Sequence, residues 1–236
     1  MKKTWTIAAK ELGAYFRSPS AYIILIILLV IFNTFFFMII DQNREASLRD
    51  MFKLMEFMFV FIIPLLTMKT FAEEKRTGTI EFLMTSPTKN TDIVLGKYLG
   101  SLIFLSLTIL LTTVYYIILQ AFSHPDKGAI LSGYIGIWLE GALFLAIGLM
   151  ASSWTKSQTI AAMSSYIILF LLYFSLSYIM YFDEKTQNII RYIGCWSHIE
   201  NFSSGLFTLG DLTYFLTGIF FALALTRLSI ENRLWK

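Results

Sequence analysis

One cysteine (Cys195), two histidines, four prolines and a charged content of only 15% mark this 236-residue chain by what it lacks. A lone cysteine excludes an internal disulfide and any multi-cysteine metal site. The histidines, His124 and His198, stand too far apart to read as a ligand or catalytic pair, and neither H-E-x-x-H nor G-x-S-x-G occurs. A phosphate-binding loop is missing as well. The Gly-Lys pair Gly96-Lys97 is followed by Tyr98, and Thr91 stands where the first glycine of G-x-x-x-x-G-K-[ST] belongs. No repeat and no low-complexity tract is visible, and a net charge of +3 offers nothing to a nucleic acid. Soluble domains carry about 25% charged and about 45–50% apolar residues. At 15% and 56% this chain is too apolar for that class.

What is present is long apolar runs. The segment 21–40 is about 20 residues without a charged side chain, enough to cross a hydrocarbon core of roughly 30 Å. The chain reads as an all-α polytopic membrane protein with six spans, at about 21–40, 54–71, 93–120, 132–152, 159–182 and 211–228. It forms a single membrane domain, because the longest pieces outside the spans are well below the roughly 40 residues a self-folding domain needs. Met1-Lys2-Lys3 is a positive start, but the first apolar run begins late and exceeds a signal core, so it reads as a retained span. An even number of spans puts both termini on one side. Thirteen of the 19 Lys and Arg then share that side, against Arg44, Arg49, Lys53, Lys127, Lys185 and Arg191 on the other. The positive-inside bias makes the terminal side cytoplasmic in a cell inner membrane.

Residues 4–17 form an amphipathic pattern with Trp5, Ala8, Leu12, Tyr15 and Phe16 on one face and Lys3, Lys10 and Arg17 mostly on the other. This predicts an interfacial helix on membrane lipids, broken by Ser18-Pro19-Ser20 before the first span. Pro64 should kink or loosen the second span. Glu140, inside the fourth, is costly without a partner. It reads either as the wall of a polar passage or subunit interface, with Pro64 as a second candidate, or as a neutral acid bonded to a neighbouring helix. Ser164 and Ser165 fit helix-to-helix hydrogen bonds better than nucleophiles, and Gly96-x-x-x-Gly100 fits close helix packing.

Between spans two and three lies a mixed-charge stretch: Glu73, Glu74, Lys75, Arg76, then Gly78 as a break, then a short turn at Thr79–Met84 containing Glu81 and ended by Ser86-Pro87. From its residues alone it is either a compact knob that passes force between a soluble partner and the helices, or a solvated loop. Here a resemblance enters. Glu74-Lys75-Arg76-Thr77-Gly78-Thr79-Ile80-Glu81-Phe82-Leu83, then Ser86-Pro87 and Gly96-Lys97, resembles the signature of ABC-2 type transporter permeases. The opening Lys10-Glu11-Leu12 with Tyr15-Phe16-Arg17-Ser18-Pro19 is similar to that family's first helix, and 146–158 to its span 4–5 segment. His198, Asn201, Phe202 and Gly205, with Asp211-Leu212, resemble the subgroup containing gliding-motility and nitrous-oxide-reductase copper-maturation permeases.

The resemblance implies six membrane helices per subunit and a dimer with an identical or different second permease. It also implies two copies of a separate ATP-binding cassette subunit, which would hold ATP and Mg; no cofactor and no catalytic or metal site belongs to this chain. It makes Glu73–Pro87 the coupling region, with Glu73, Glu74, Lys75, Arg76, Gly78, Thr79 and Glu81 facing the ATP-binding subunit. Trp5, Lys10, Glu11, Tyr15 and Arg17 become the interfacial helix. His198, Asn201 and Phe202 fall in an external re-entrant loop over 189–207. Glu140 has no counterpart in the family pattern. The implied function is export or conformational work driven by the partner's ATP hydrolysis. Two alternatives are a force-transmitting machine part acting on an external protein and an intramembrane enzyme.

Overall fold

A computed structural model of the chain describes residues 2–43, 47–80, 88–175 and 183–231. Among these, nine helices account for nearly all the structure, with no strand. They are α1 (Lys2–Arg17), α2 (Pro19–Asn43), α3 (Arg49–Thr77), α4 (Asn90–Phe122), α5 (Lys127–Trp154), α6 (Gln158–Phe174), α7 (Glu184–Ile193), α8 (Cys195–Ser203) and α9 (Leu209–Glu231). Five of them, α2, α3, α4, α5 and α9, are long and apolar enough to cross a membrane. At the predicted span 159–182 the described helix α6 is apolar but only 17 residues long, and positions 176–182 lie outside the described residues. The other spanning helices run past their predicted ends, because the polar first and last turns of α3 and α4 are helical too.

Local chemistry sets the breaks. Pro19 opens α2, where its missing N–H costs nothing. Asp126 and Ser157 cap α5 and α6 by accepting from Gly128 N–H and Ile160 N–H. Gly78 ends α3 at φ +73°, a left-handed cap that a residue with a Cβ adopts poorly. Pro64 sits within a helix that continues through it, and a turn later the Ser152 hydroxyl of α5 lies against the α3 ladder. It accepts from Phe71 and Ala72 N–H and donates to the Met68 carbonyl.

The bundle is arranged for an apolar solvent. α5 is its axis, with 89% of its apolar stretch buried, packed on α3, α4, α6, α8 and α9. Of the five spanning helices α2 is the most apolar and the least buried, at 17%, and it exposes Ile23, Ile26, Ile27 and Val30. In water that order would be reversed. With apolar contact giving no advantage over lipid, the helices are joined by polar bonds: Tyr115 to Asn33, Tyr134 to the Thr112 carbonyl, Trp138 to Ser106, and Tyr98 to the Ala142 carbonyl. Ser164 instead bonds back to the Ile160 and Ala161 carbonyls of its own helix, and no hydrogen-bond partner is described for Ser165 Oγ. Among the described residues neither makes the helix-to-helix bond expected of it.

α1 docks on α4 through the predicted small-residue motif. A Cβ on Gly96 would lie 2.6 Å from Ile7 Cβ, and one on Gly100 would lie 2.8 Å from the Ala8 carbonyl. The face of α1 that does this is not the one the aromatic residues outline. Ala8 and Tyr15 are buried with Glu11 beside them, whereas Trp5 and Phe16 are exposed, as side chains resting in a membrane interface are. Lys10 and Arg17 are exposed as well. Gly100→Leu is expected to push α1 off α4, lowering stability by about 1–3 kcal/mol and exposing residues 2–17 to protease. Unchanged cleavage would mean that α1 is not seated here.

Candidate functional site

The ends of α1, α3, α4, α5 and α9 meet at one face, called the terminal face here. Lys97, in the second turn of α4, is its centre. Its side chain is 3% exposed, and its ammonium lies 2.9 Å from Glu74 Oε1, 3.2 Å from Glu11 Oε2 and 2.9 Å from the Thr70 carbonyl. These three acceptors use all three ammonium hydrogens. The Phe71 ring lies under the charge at 5.2 Å. A buried cation is tolerable only when so completely partnered. Tyr15 flanks the cluster, its hydroxyl 3.0 Å from Ser101 Oγ and 3.3 Å from the Leu66 carbonyl. Burial, with Glu11 nearby, pushes its phenol up to about 12, so it remains a neutral hydrogen-bonding group. Thr4 donates to Asp92 at 2.8 Å and fastens the start of α1 to the start of α4.

The four charges that end α3 divide by direction. Glu74 and Lys75 turn inward. Glu74 holds Lys97, and Lys75, 4% exposed, donates to the Ser153 carbonyl at the last turn of α5. Glu73 and Arg76 point outward and pair with each other at 3.8 Å with both side chains about half exposed. Thr77 and Thr79 are exposed beside them, joined through their hydroxyls at 2.9 Å, and Gly78 between them has nothing within 4 Å of where a Cβ would stand. Ile80 is buried again. Glu81 and the rest of the predicted turn lie outside the described residues. The face offered outward is thus Glu73, Arg76, Thr77, Gly78 and Thr79.

A family model described as ABC-2 family transporter protein matches residues 5–228, nearly the whole chain. The chain belongs to that family. No curated protein matches it. In ABC-2 proteins the membrane subunit is generally non-catalytic, works with an ATP-binding subunit and dimerises.

In this ABC-2 protein the opposite face is closed by α7 and α8. His198, Asn201 and Phe202 all fall on α8, and Asp211 at the start of α9 organises the first two. His198 Nδ1 is 2.6 Å from Asp211 Oδ1, while Asn201 and the Thr208 hydroxyl donate to Oδ2. Thr208 also accepts from Asp211 N–H, capping α9. The second ring nitrogen of His198 meets the Tyr192 carbonyl at 3.0 Å, and Tyr214 stacks on the ring. Phe202 is wholly buried against α5 at Gly136. Asp211 drew attention in the sequence only as part of the resemblance, since nothing marks which of 16 acids accepts three bonds.

Glu140 and Pro64 are not brought together with either cluster. Glu140 is 0% exposed at the middle of α5, and both of its carboxyl oxygens are without a partner among the described residues. Glu56 on α3 is a second buried acid, 2% exposed, and its Oε1 is likewise without a partner among the described residues. Pro64 is buried on α3. No described cavity reaches Glu140.

Proposed function

We propose that this chain is the permease subunit of an ATP-binding-cassette transporter, driven from its terminal face by a separate ATP-binding subunit. The carrying observation is the divided charge set at the end of α3. Glu73, Arg76, Thr77 and Thr79 are available to a partner, while the adjacent Glu74 and Lys75 are fixed to α1, α4 and α5 through Lys97 and Ser153. A push on the outer side therefore reaches four helices without crossing a loose joint. The terminal face is cytoplasmic in this reading, in keeping with its 13 of 19 basic residues. ATP and Mg would bind the partner, present in two copies, and a second permease chain would complete the passage.

The test uses the complex isolated from native membranes. Glu73→Lys combined with Arg76→Glu exchanges the outward charges and leaves the inner contacts intact. Reversed charges across a partly desolvated interface should weaken association with the ATP-binding subunit by at least about tenfold and lower its stimulated ATPase, with the chain's melting temperature unchanged. Unchanged co-purification and unchanged stimulation would remove this segment as the coupling element.

One observation favours the second reading, a machine part acting on an external protein. The opposite face exposes Tyr192, Leu206, Phe207 and Leu209 around α7 and α8. Transport into vesicles by the purified complex favours the pump. A null strain whose defect appears only together with an external partner favours the machine part.

A further inference from the structure

α7 is fastened to the bundle by its last turn. Among the described residues it packs on α8 and only slightly on any other helix. The last four carbonyls of a helix have no partner within it, and on α7 each is met from beyond the helix. Gly194 N–H donates to the Ile190 carbonyl, the Ser197 hydroxyl to Arg191 and the Tyr214 hydroxyl to Ile193, and His198 Nε2 meets the Tyr192 carbonyl at 3.0 Å. Of these four groups only the histidine can give up its proton between about pH 5 and 8.

Counting hydrogens fixes the state of the ring. A carbonyl oxygen only accepts, so the contact with Tyr192 needs a hydrogen on Nε2. The 2.6 Å contact between Nδ1 and Asp211 Oδ1 needs another. Asn201 and Thr208 both donate to Asp211 Oδ2, as donors do to a carboxylate, so that second hydrogen belongs to the ring. The ring is an imidazolium, 9% exposed, beside a carboxylate 7% exposed. Tyr214 stacks on its face at 4.1 Å, and the negative end of α7 lies against its edge. Loss of one proton leaves a buried pair with a net negative charge and turns an Nε2 lone pair on the Tyr192 carbonyl.

The groups around the ring are few. α9 brings Asp211 and Tyr214, α7 the ring of Tyr192, and α8 itself Cys195, which contacts the Tyr214 hydroxyl. Arg191 of α7 is exposed. Lys53 and Glu56 of α3 gather with Glu200 around Trp196, Ile199 and Ser203, on the far side of α8. α5 meets α8 where Phe202 covers Gly136, and its acid Glu140 lies one turn further on.

We propose that His198 is a proton-operated clasp: as an imidazolium it holds α7 shut against α8 and α9, and it releases α7 when the medium on that face turns alkaline. The hold is complete while both ring hydrogens are present and is lost as rising pH removes one. The clasp rests on the membrane-spanning reading and not on an ATP-binding partner, so either can fail without the other.

The test uses the full-length chain in lipid nanodiscs with isotope-labelled histidine nitrogens. His124→Gln leaves His198 as the single histidine. Its nitrogen spectrum should show hydrogens on both ring nitrogens at about pH 6 and on one at about pH 8.5. Backbone hydrogen exchange of α7, corrected for the intrinsic effect of pH, should be slower at the lower pH by at least about tenfold, the worth of one charge-assisted hydrogen bond. His124→Gln should keep this dependence. His198→Gln should lose it, because an amide side chain has no proton to release in this range. A single protonated nitrogen at the lower pH, exchange that ignores pH, or a dependence that survives His198→Gln would each overturn the clasp. If His198→Gln does not fold, the nitrogen spectrum of His124→Gln still decides.

Discussion

Lys97→Met is expected to lower the stability of the protein by about 3–5 kcal/mol, the usual cost of removing one partner from a buried charge cluster. Methionine fills most of the space, so packing changes little. What is lost is the cation between Glu11 and Glu74, whose side chains are 15% and 19% exposed, and the donor to the Thr70 carbonyl. The two carboxylates then repel across a site with little water. Unfolding should show a large fall for Lys97→Met and recovery of most of it when Glu11→Gln and Glu74→Gln are added, because neutral amides need no cation. Lys97→Arg should not restore the wild-type value, since a planar fork fits three convergent acceptors poorly. A Lys97→Met protein as stable as the parent would show that the cluster holds nothing together.

Glu140→Met is expected to do the opposite and raise stability by about 1–3 kcal/mol, the penalty of a buried group left without a partner. The carboxyl lies wholly inside the bundle, and neither oxygen meets a donor among the described residues. Glu140→Gln, which keeps the shape and leaves a polar group equally without partners, should change stability by less than about 1 kcal/mol. Comparing the melting temperature with partner-driven activity then separates two reasons for keeping an acid here. A stabilised but inactive Glu140→Met protein would show the carboxyl serves the working cycle, in the way intramembrane acids often do. A fall in stability would show that it satisfies a donor.

Much of this architecture was legible because apolar length is a coarse signal: runs near 20 residues could hardly be anything but spanning helices. The ends were less legible, since polar turns such as Arg49–Lys53 and Asn90–Asp92 continue a helix without announcing it. α1 shows where a pattern misleads. The single face read as resting on membrane lipids divides in the structure: Trp5 and Phe16 are exposed, but Ala8 and Tyr15 are buried, and the docking face is set by what Gly96 and Gly100 leave room for. The charged end of α3 was visible as a string of signs. Which of Glu73–Arg76 turned inward depended on Lys97 and Ser153, 23 and 78 residues away, and no local pattern carries that. Lys97 itself was visible only as half of a glycine–lysine pair.

The Ser153 carbonyl accepts from Lys75 of α3 and also from the Ser229 hydroxyl of α9 at 2.9 Å. Two lone pairs on one oxygen thus join three helices that are distant in sequence. Mechanically they act as springs in parallel: a displacement entering at the end of α3 is divided between α5 and α9 instead of bending either one alone. The last of the described helices, remote from the charged stretch in sequence, is thereby tied to it through a single oxygen.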